Sequence, residues 1–443
     1  MKLMITGIKE LWHNITQKSL RSLYELLFGN ETRKGLLIHL AYFFILLCLI
    51  FICKRGGFSF WPDLLATVAA FLISAIFVYL SRMLLQSFED KQKVNYDDSF
   101  MEKLYGALPE GQEGEAEAGY HRQFKLGDDI CQVYYDCCLD VSSFTDDFSA
   151  EIKDDPEKKF ELNQFIRENS LEILKAHENS NFNNWDTLRL DGYEIKDNHL
   201  VIKTSRSNYI YHMLTNRAVD FKIADQISLR KLFEYRDKLS TLESSVFSNH
   251  LGMIGMIVLN NGYTLFPHRG NSSTISKNMI TSGVAKPMLL KKNPDRSLSS
   301  GPIKVPFEDF MLNALPDAMK ISADSLSRYG VSIRFLGFGR DVYEGGKPSF
   351  FYLINVDMSV NDYFQCHKDF VESDKTTKVD HNKKVYVVKY DSIRWHKRGS
   401  FLSFFYLKSP DGRLKEKYIQ PEKNLLCNLY HYNRFLNNIR QSE

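Results

Sequence analysis

GLLIHLAYFFILLCLIFIC occupies residues 35–53, KRGGFSFWPD residues 54–63 and LLATVAAFLISAIFVYL residues 64–80. A spanning helix needs roughly 20 apolar residues. The first run comes close to that length, and the second reaches it when extended to Leu85. Buried core helices of a soluble protein seldom run this far without a charge on any face. The stretch therefore predicts a two-helix transmembrane hairpin over 35–85. Lys9, Lys18, Arg21, Arg33 and Lys34 precede it and Arg82, Lys91, Lys93 and Lys103 follow it, whereas the loop offers only Lys54 and Arg55. Flanking basic residues stay on the cytoplasmic side, so both termini are expected there, with Phe58, Phe60 and Trp61 at the opposite interface. The amino-terminal segment is too long for a cleaved signal peptide, and no small-residue cleavage site follows the first run.

Outward from the hairpin, Leu3, Ile8, Leu11, Trp12 and Ile15 recur at helical spacing. Residues 1–30 thus read as an amphipathic helix, either on the inner leaflet or packed on the rest of the chain. Residues 86–182 read as a helical connector with an acidic, Gly-rich flexible loop at 109–119. From Trp185 the pattern changes to short strands, as in LRLDGYEIKDNHLVIKTSRSNYIYHML with turn signals at Asp191-Gly192 and Asp197-Asn198. Strands are expected again at GMIGMIVLNNGYTLFPHR (252–269), 332–338, 349–356 and 384–390, and helices at 228–239, 307–329 and 421–441. This mixture makes the fold class α+β: an N-terminal transmembrane helical hairpin with a cytoplasmic mixed α/β domain over 183–443. The net charge of +3 gives no basic field, so no nucleic-acid partner is expected. The seven cysteines include no CxxC pair and suit a reducing compartment.

Residues 242–357 resemble a Nudix-type domain. The residues that carry this are the strand-turn-strand with Asn260-Asn261-Gly262, His268-Arg269 at its end, Thr281-Ser282-Gly283, and PFEDFMLNALPDAMKISADSLSRYGVSIRFLGFGRDVYEGGKPSFFYLINVD (306–357). In such domains glutamates on one helix bind Mg²⁺ beside a diphosphate, because hard oxygen ligands suit that ion. Setting Gly330-Val331 at the end of the signature helix puts Ser327 and Arg328 in place of the paired glutamates. Ala323 and Asp324 then replace the Arg-Glu pair, and Leu315 the first glutamate. The resemblance therefore implies a nucleotide-type ligand bound without hydrolysis, and no catalytic residue, metal or cofactor is expected; Glu308, Asp309 and Asp317 are the carboxylates available to a rearranged metal site. His268, Arg269, Arg340 and Lys347 are the candidate ligand-binding residues, as cations beside strands and Gly-containing turns. Tyr209, Tyr211, Phe338 and Tyr343 are candidates for stacking on a base.

The architecture is also similar to two-span effectors of bacterial nucleotide-signalling defence systems. That resemblance implies a multi-pass protein of the bacterial inner membrane whose sensor domain drives homo-oligomerisation of hairpins in the lipid bilayer, halting growth during antiphage abortive infection. A membrane-tethered hydrolase of nucleoside diphosphate derivatives is the alternative, and a plain tether for a protein partner a third.

Overall fold

The computed structural model describes residues 98–442 apart from 107–118, 142–147, 175–176, 178–183, 224–226, 235–237, 271–275, 277, 291–293, 374–383, 398–399 and 410–411. The chain divides into two compact units, Met1–Lys91 and Gln92–Glu443, and the described residues belong to the second.

In chain order come helix α1 (Asp98–Tyr105), strands β1 (His121–Leu126), β2 (Asp129–Asp140) and β3 (Ser149–Lys159), and the short helices α2 (Gln164–Glu168) and α3 (Ser170–Leu174). Strands β4 (Asp186–Lys196) and β5 (His199–Asn208) follow, then α4 (Tyr209–Leu214), β6 (Lys222–Ile223), β7 (Ile227–Ser228) and α5 (Leu229–Phe233). Next are β8 (Gly252–Leu259), β9 (Tyr263–Pro267), β10 (Val284–Pro287), α6 (Glu308–Met319), α7 (Ala323–Leu326), β11 (Val331–Asp341) and β12 (Lys347–Val356). The chain ends with α8 (Val360–Ser373), β13 (Val385–Lys389), β14 (Arg394–His396), β15 (Phe401–Leu407), β16 (Leu414–Ile419) and α9 (Lys423–Ser442).

One large sheet runs in the order β1-β2-β11-β12-β8-β9-β13-β15-β14, with β10 on β8 and β16 on β15. Its neighbours are antiparallel except β12 and β8, which are parallel. A smaller sheet, β3-β5-β4, lies apart from it.

The central strand β8 reads as an unbroken apolar run because both its faces are covered. Met253, Ile257 and Leu259 join the core that holds α6 (Met311, Leu315, Met319), the small sheet (Ile152, Leu190, Ile202) and α8 (Tyr363). Ile254 and Met256 join the core that holds α1 (Met101) and α9 (Leu425, Leu426, Leu429, Tyr430). On the α9 side the large sheet curls until β14 meets β2, with the Arg394 guanidinium against Gly127. The sheet is thus nearly a barrel, and residues 421–432, the start of α9 included, are buried.

These observations correct the fold class. Among the described residues no helix is long and apolar enough to cross a membrane. The longest, α9, has 20 residues but carries Lys423, Asn424, Asn428, His431 and Arg434; Lys423 pairs with Asp98 of α1, Asn428 donates to Ser282 Oγ, and His431 and Arg434 meet Tyr135 and Asp140 of β2. A transmembrane helical hairpin on the domain, the multi-pass inner-membrane placement and the membrane and transmembrane description are therefore not supported; the described chain is a mixed, sheet-rich domain. The expected helix over 1–30 and hairpin over 35–85 lie outside the described residues.

Other elements differ from expectation for local reasons. Within the expected helical connector β1, β2 and β3 are strands, since Phe124, Leu126, Cys131, Val133 and Tyr135 bury alternate positions of the β1–β2 hairpin. Asp191-Gly192 is no turn but a register shift inside β4, where the Glu243 side chain lies over the bare Gly192. The expected helix at 307–329 is two helices, because Lys320 caps α6 in the left-handed region at φ 56°. Of that expected at 228–239, the described residues form α5 alone. The Asn260-Asn261-Gly262 turn forms as expected: Asn261 and Gly262 take φ of 64° and 72°, the pair of positive values that matches strand twist.

Candidate functional site

The β11–β12 connection folds around its own polar groups. The Asp341 carboxylate accepts the backbone N–H groups of Tyr343 (2.9 Å) and Glu344 (3.4 Å), a common way for Asp to hold a turn. Gly345 and Gly346 complete it at φ 60° and 82°, and a Cβ on Gly345 would meet Phe247 and Val219 within 3 Å. This turn carries the buried Glu344 inward, where Arg217 donates to it and the Lys347 Nζ lies 3.1 Å away.

Arg217 comes from the helical turn after α4. Its neighbour Asn216 donates to the Glu344 carbonyl (2.9 Å) and to Asn249 Oδ1 (3.1 Å), and accepts the Asn249 N–H (3.0 Å). These bonds place His250 just before β8. The His250 ring stacks on His212 of α4 at 3.6 Å and 22°, and the half-buried Tyr209 ring lies 5.8 Å from both. The Nδ1 atoms of His212 and His250 have no hydrogen-bond partner, nor has the Oγ of Ser349 on β12. Arg269, just past β9, donates to the Ala285 carbonyl (3.3 Å) and lies 3.5 Å from Glu422, which also accepts Ser276 Oγ at 2.9 Å; the Arg269 Nε is unpartnered.

Burial alone would raise Glu344, but Lys347 and Arg217 outweigh it and bring its pKa down to about 2. Asp341 moves the other way: burial and the neighbouring Glu344 charge push it up to about 7. Burial would likewise raise Glu422, and Arg269 with the hydroxyls of Thr281 and Ser276 lowers it instead. Burial first, then the charges of Lys347 and Arg217, holds His212 and His250 well below the usual histidine range. Below about pH 7 the cations Arg217, Lys347 and Arg269 therefore face two carboxylates, Glu344 and Glu422, and the cluster is net positive.

Of the four residues expected to bind ligand, Arg269 and Lys347 belong to this cluster. Arg340 is also buried but serves the fold, donating to the carbonyls of Gly346 (3.1 Å) and Ser240 (2.7 Å) beside Asp136. His268 lies at the end of β9 with its ring edge-on to Tyr386. Among the aromatics only Tyr209 is at the cluster; Tyr211 packs on Phe160, while Phe338 and Tyr343 are fully buried.

His212, Arg217, His250, Glu344 and Glu422 carry no motif. Their one signal is position, at the polar ends of apolar runs. Glu308 and Asp309 open α6 exposed, and Asp317 is tied to Lys286 and, at 2.8 Å, to Lys320. Among the described residues no group of three metal-ligating side chains forms.

Two clefts, of about 450 and 300 Å³, open on the small sheet rather than at this cluster. In the second, the Asp191 carboxylate lies against both Arg189 and, at 2.9 Å, Lys158. No protein-family model matches the chain, and no curated protein matches it.

Proposed function

We propose that the described domain is a binding module for a phosphorylated small molecule of the nucleotide type, held by Arg217, Arg269 and Lys347. The supporting observation is the convergence of three cations around the half-buried Tyr209 ring, with unpartnered donors at the same place. Arginine and lysine donate charge-assisted bonds that suit phosphate oxygens, and a tyrosine ring offers a stacking face to a base. The reading is of binding rather than turnover, because Asp317 of α6 is engaged by lysines and Glu308 and Asp309 stand exposed at that helix's first turn.

The test is the melting temperature of the full chain with nucleoside di- and triphosphates and cyclic dinucleotides, each with and without Mg²⁺, followed by chromatography of the mixture. A ligand at a hundred times its Kd adds about 2.7 kcal/mol of stability. The account expects a rise with at least one nucleotide, lost in Arg269→Ala, and no product. No rise with any nucleotide, or an equal rise in Arg269→Ala, overturns it; metal-dependent products would instead make the domain a hydrolase.

A further inference from the structure

The turn that carries Glu344 and Lys347 is also held by α1, the first described helix after the boundary at Lys91. Two contacts make the grip. At the start of α1, the Asp98 carboxylate accepts the Tyr343 hydroxyl and the Lys423 ammonium (2.7 Å), and Lys423 lies 4.6 Å from the centre of the Tyr343 ring. At its end, the Tyr105 hydroxyl lies 3.2 Å from Arg230 Nη1. That guanidinium binds Asp220 through two bonds (2.7 and 3.0 Å) and donates to the carbonyls of Val342 (2.8 Å) and Tyr343 (2.7 Å). Between the two, Met101 is fully buried and Tyr105 meets Tyr120 edge-on at 5.2 Å.

α1 thus meets the turn directly at Tyr343 and, through Arg230, at the carbonyls of Val342 and Tyr343, five and four residues before Lys347. Lys423, the partner on α9, is next to Glu422, which holds Arg269. We infer that α1 is a latch whose docking is coupled to occupancy of the cationic cluster, so that a ligand on Lys347 and Arg269 tightens α1 onto the 341–347 turn. This rests on the binding function proposed above. A ligand that fixes the turn has already met part of the entropic cost of ordering the latch, and coupling of this kind is reciprocal: docking of α1 must strengthen ligand binding by the factor that ligand strengthens docking.

The experiment follows hydrogen–deuterium exchange of the 98–105 segment in the full chain, with and without ADP, inorganic pyrophosphate or cyclic di-AMP, alongside the Kd of each. Asp98→Ala and Tyr343→Phe break the same contact from opposite sides, and the second keeps the ring beneath Lys423. The expected result is slower exchange of α1 when a probe is bound, and a Kd weakened about fivefold or more in both variants. Binding that leaves α1 exchange unchanged, with wild-type Kd in both variants, overturns the latch and leaves the binding function standing. Failure of every probe to bind overturns both.

Discussion

Asp341 and Glu344 show how two neighbouring buried carboxyls divide their roles. Glu344 takes the two cations and stays charged, so Asp341 keeps its proton up to about pH 7. A carboxyl raised in the fold contributes stability below its unfolded value, and that contribution is lost as pH rises through the folded one. Asp341→Asn retains the acceptor for Tyr343 and cannot ionise. Relative to wild type, it should gain stability as pH rises from 5 to 8, by roughly 1 kcal/mol or more; a parallel pair of stability curves would show that Asp341 is not held protonated.

The buried histidines act with the opposite sign. Their pKa values are depressed in the fold, so their contribution is present above about 6.5, the ordinary histidine value, and is lost as pH falls below it. His212→Phe preserves the stack without the titration, and its stability relative to wild type should improve between pH 7 and 5. Chemical denaturation at several pH values reads both effects as differences between variants, which keeps the two opposing slopes apart.

At the scale of elements, α9 is the internal pillar of the curled sheet. Leu429 is fully buried in its core, so Leu429→Ala should cost about 2–5 kcal/mol in a denaturant titration, with the larger values expected where the sheet cannot collapse onto the cavity. A loss under 1 kcal/mol would mean that α9 is not packed inside the sheet.

The central strands were legible because their signals are local. GMIGMIVLNNGYTLFPHR has an apolar run, a two-residue turn needing positive φ and a second run, and it folds as β8 and β9. The strands at 331–341 and 347–356 and the C-terminal helix carried equally local patterns. Strands β1 to β3 did not, because the partner that fixes β2 is β11, some two hundred positions away, and helical spacing can be traced through the same apolar residues. Site legibility followed the same rule. Lys347 and Arg269 stood out as cations beside glycines or at strand ends. Arg217 and Glu422 were invisible until the topology brought α4 and the start of α9 to the same end of β12.

For the whole molecule, the proposed binding function rests on a net positive cluster that the fold assembles from four separate segments. Charge-assisted hydrogen bonds of the kind Arg269 would make to a phosphate contribute about 1.5–3 kcal/mol each. The most direct test is a calorimetric titration of the full chain with ADP and, separately, cyclic di-AMP, for wild type and Arg269→Ala at low and at physiological salt. The account predicts saturable binding of at least one of them, weakened by salt and weakened at least about tenfold, or 1.4 kcal/mol, by Arg269→Ala. Absence of binding by either nucleotide, or an affinity indifferent to Arg269→Ala, would contradict it.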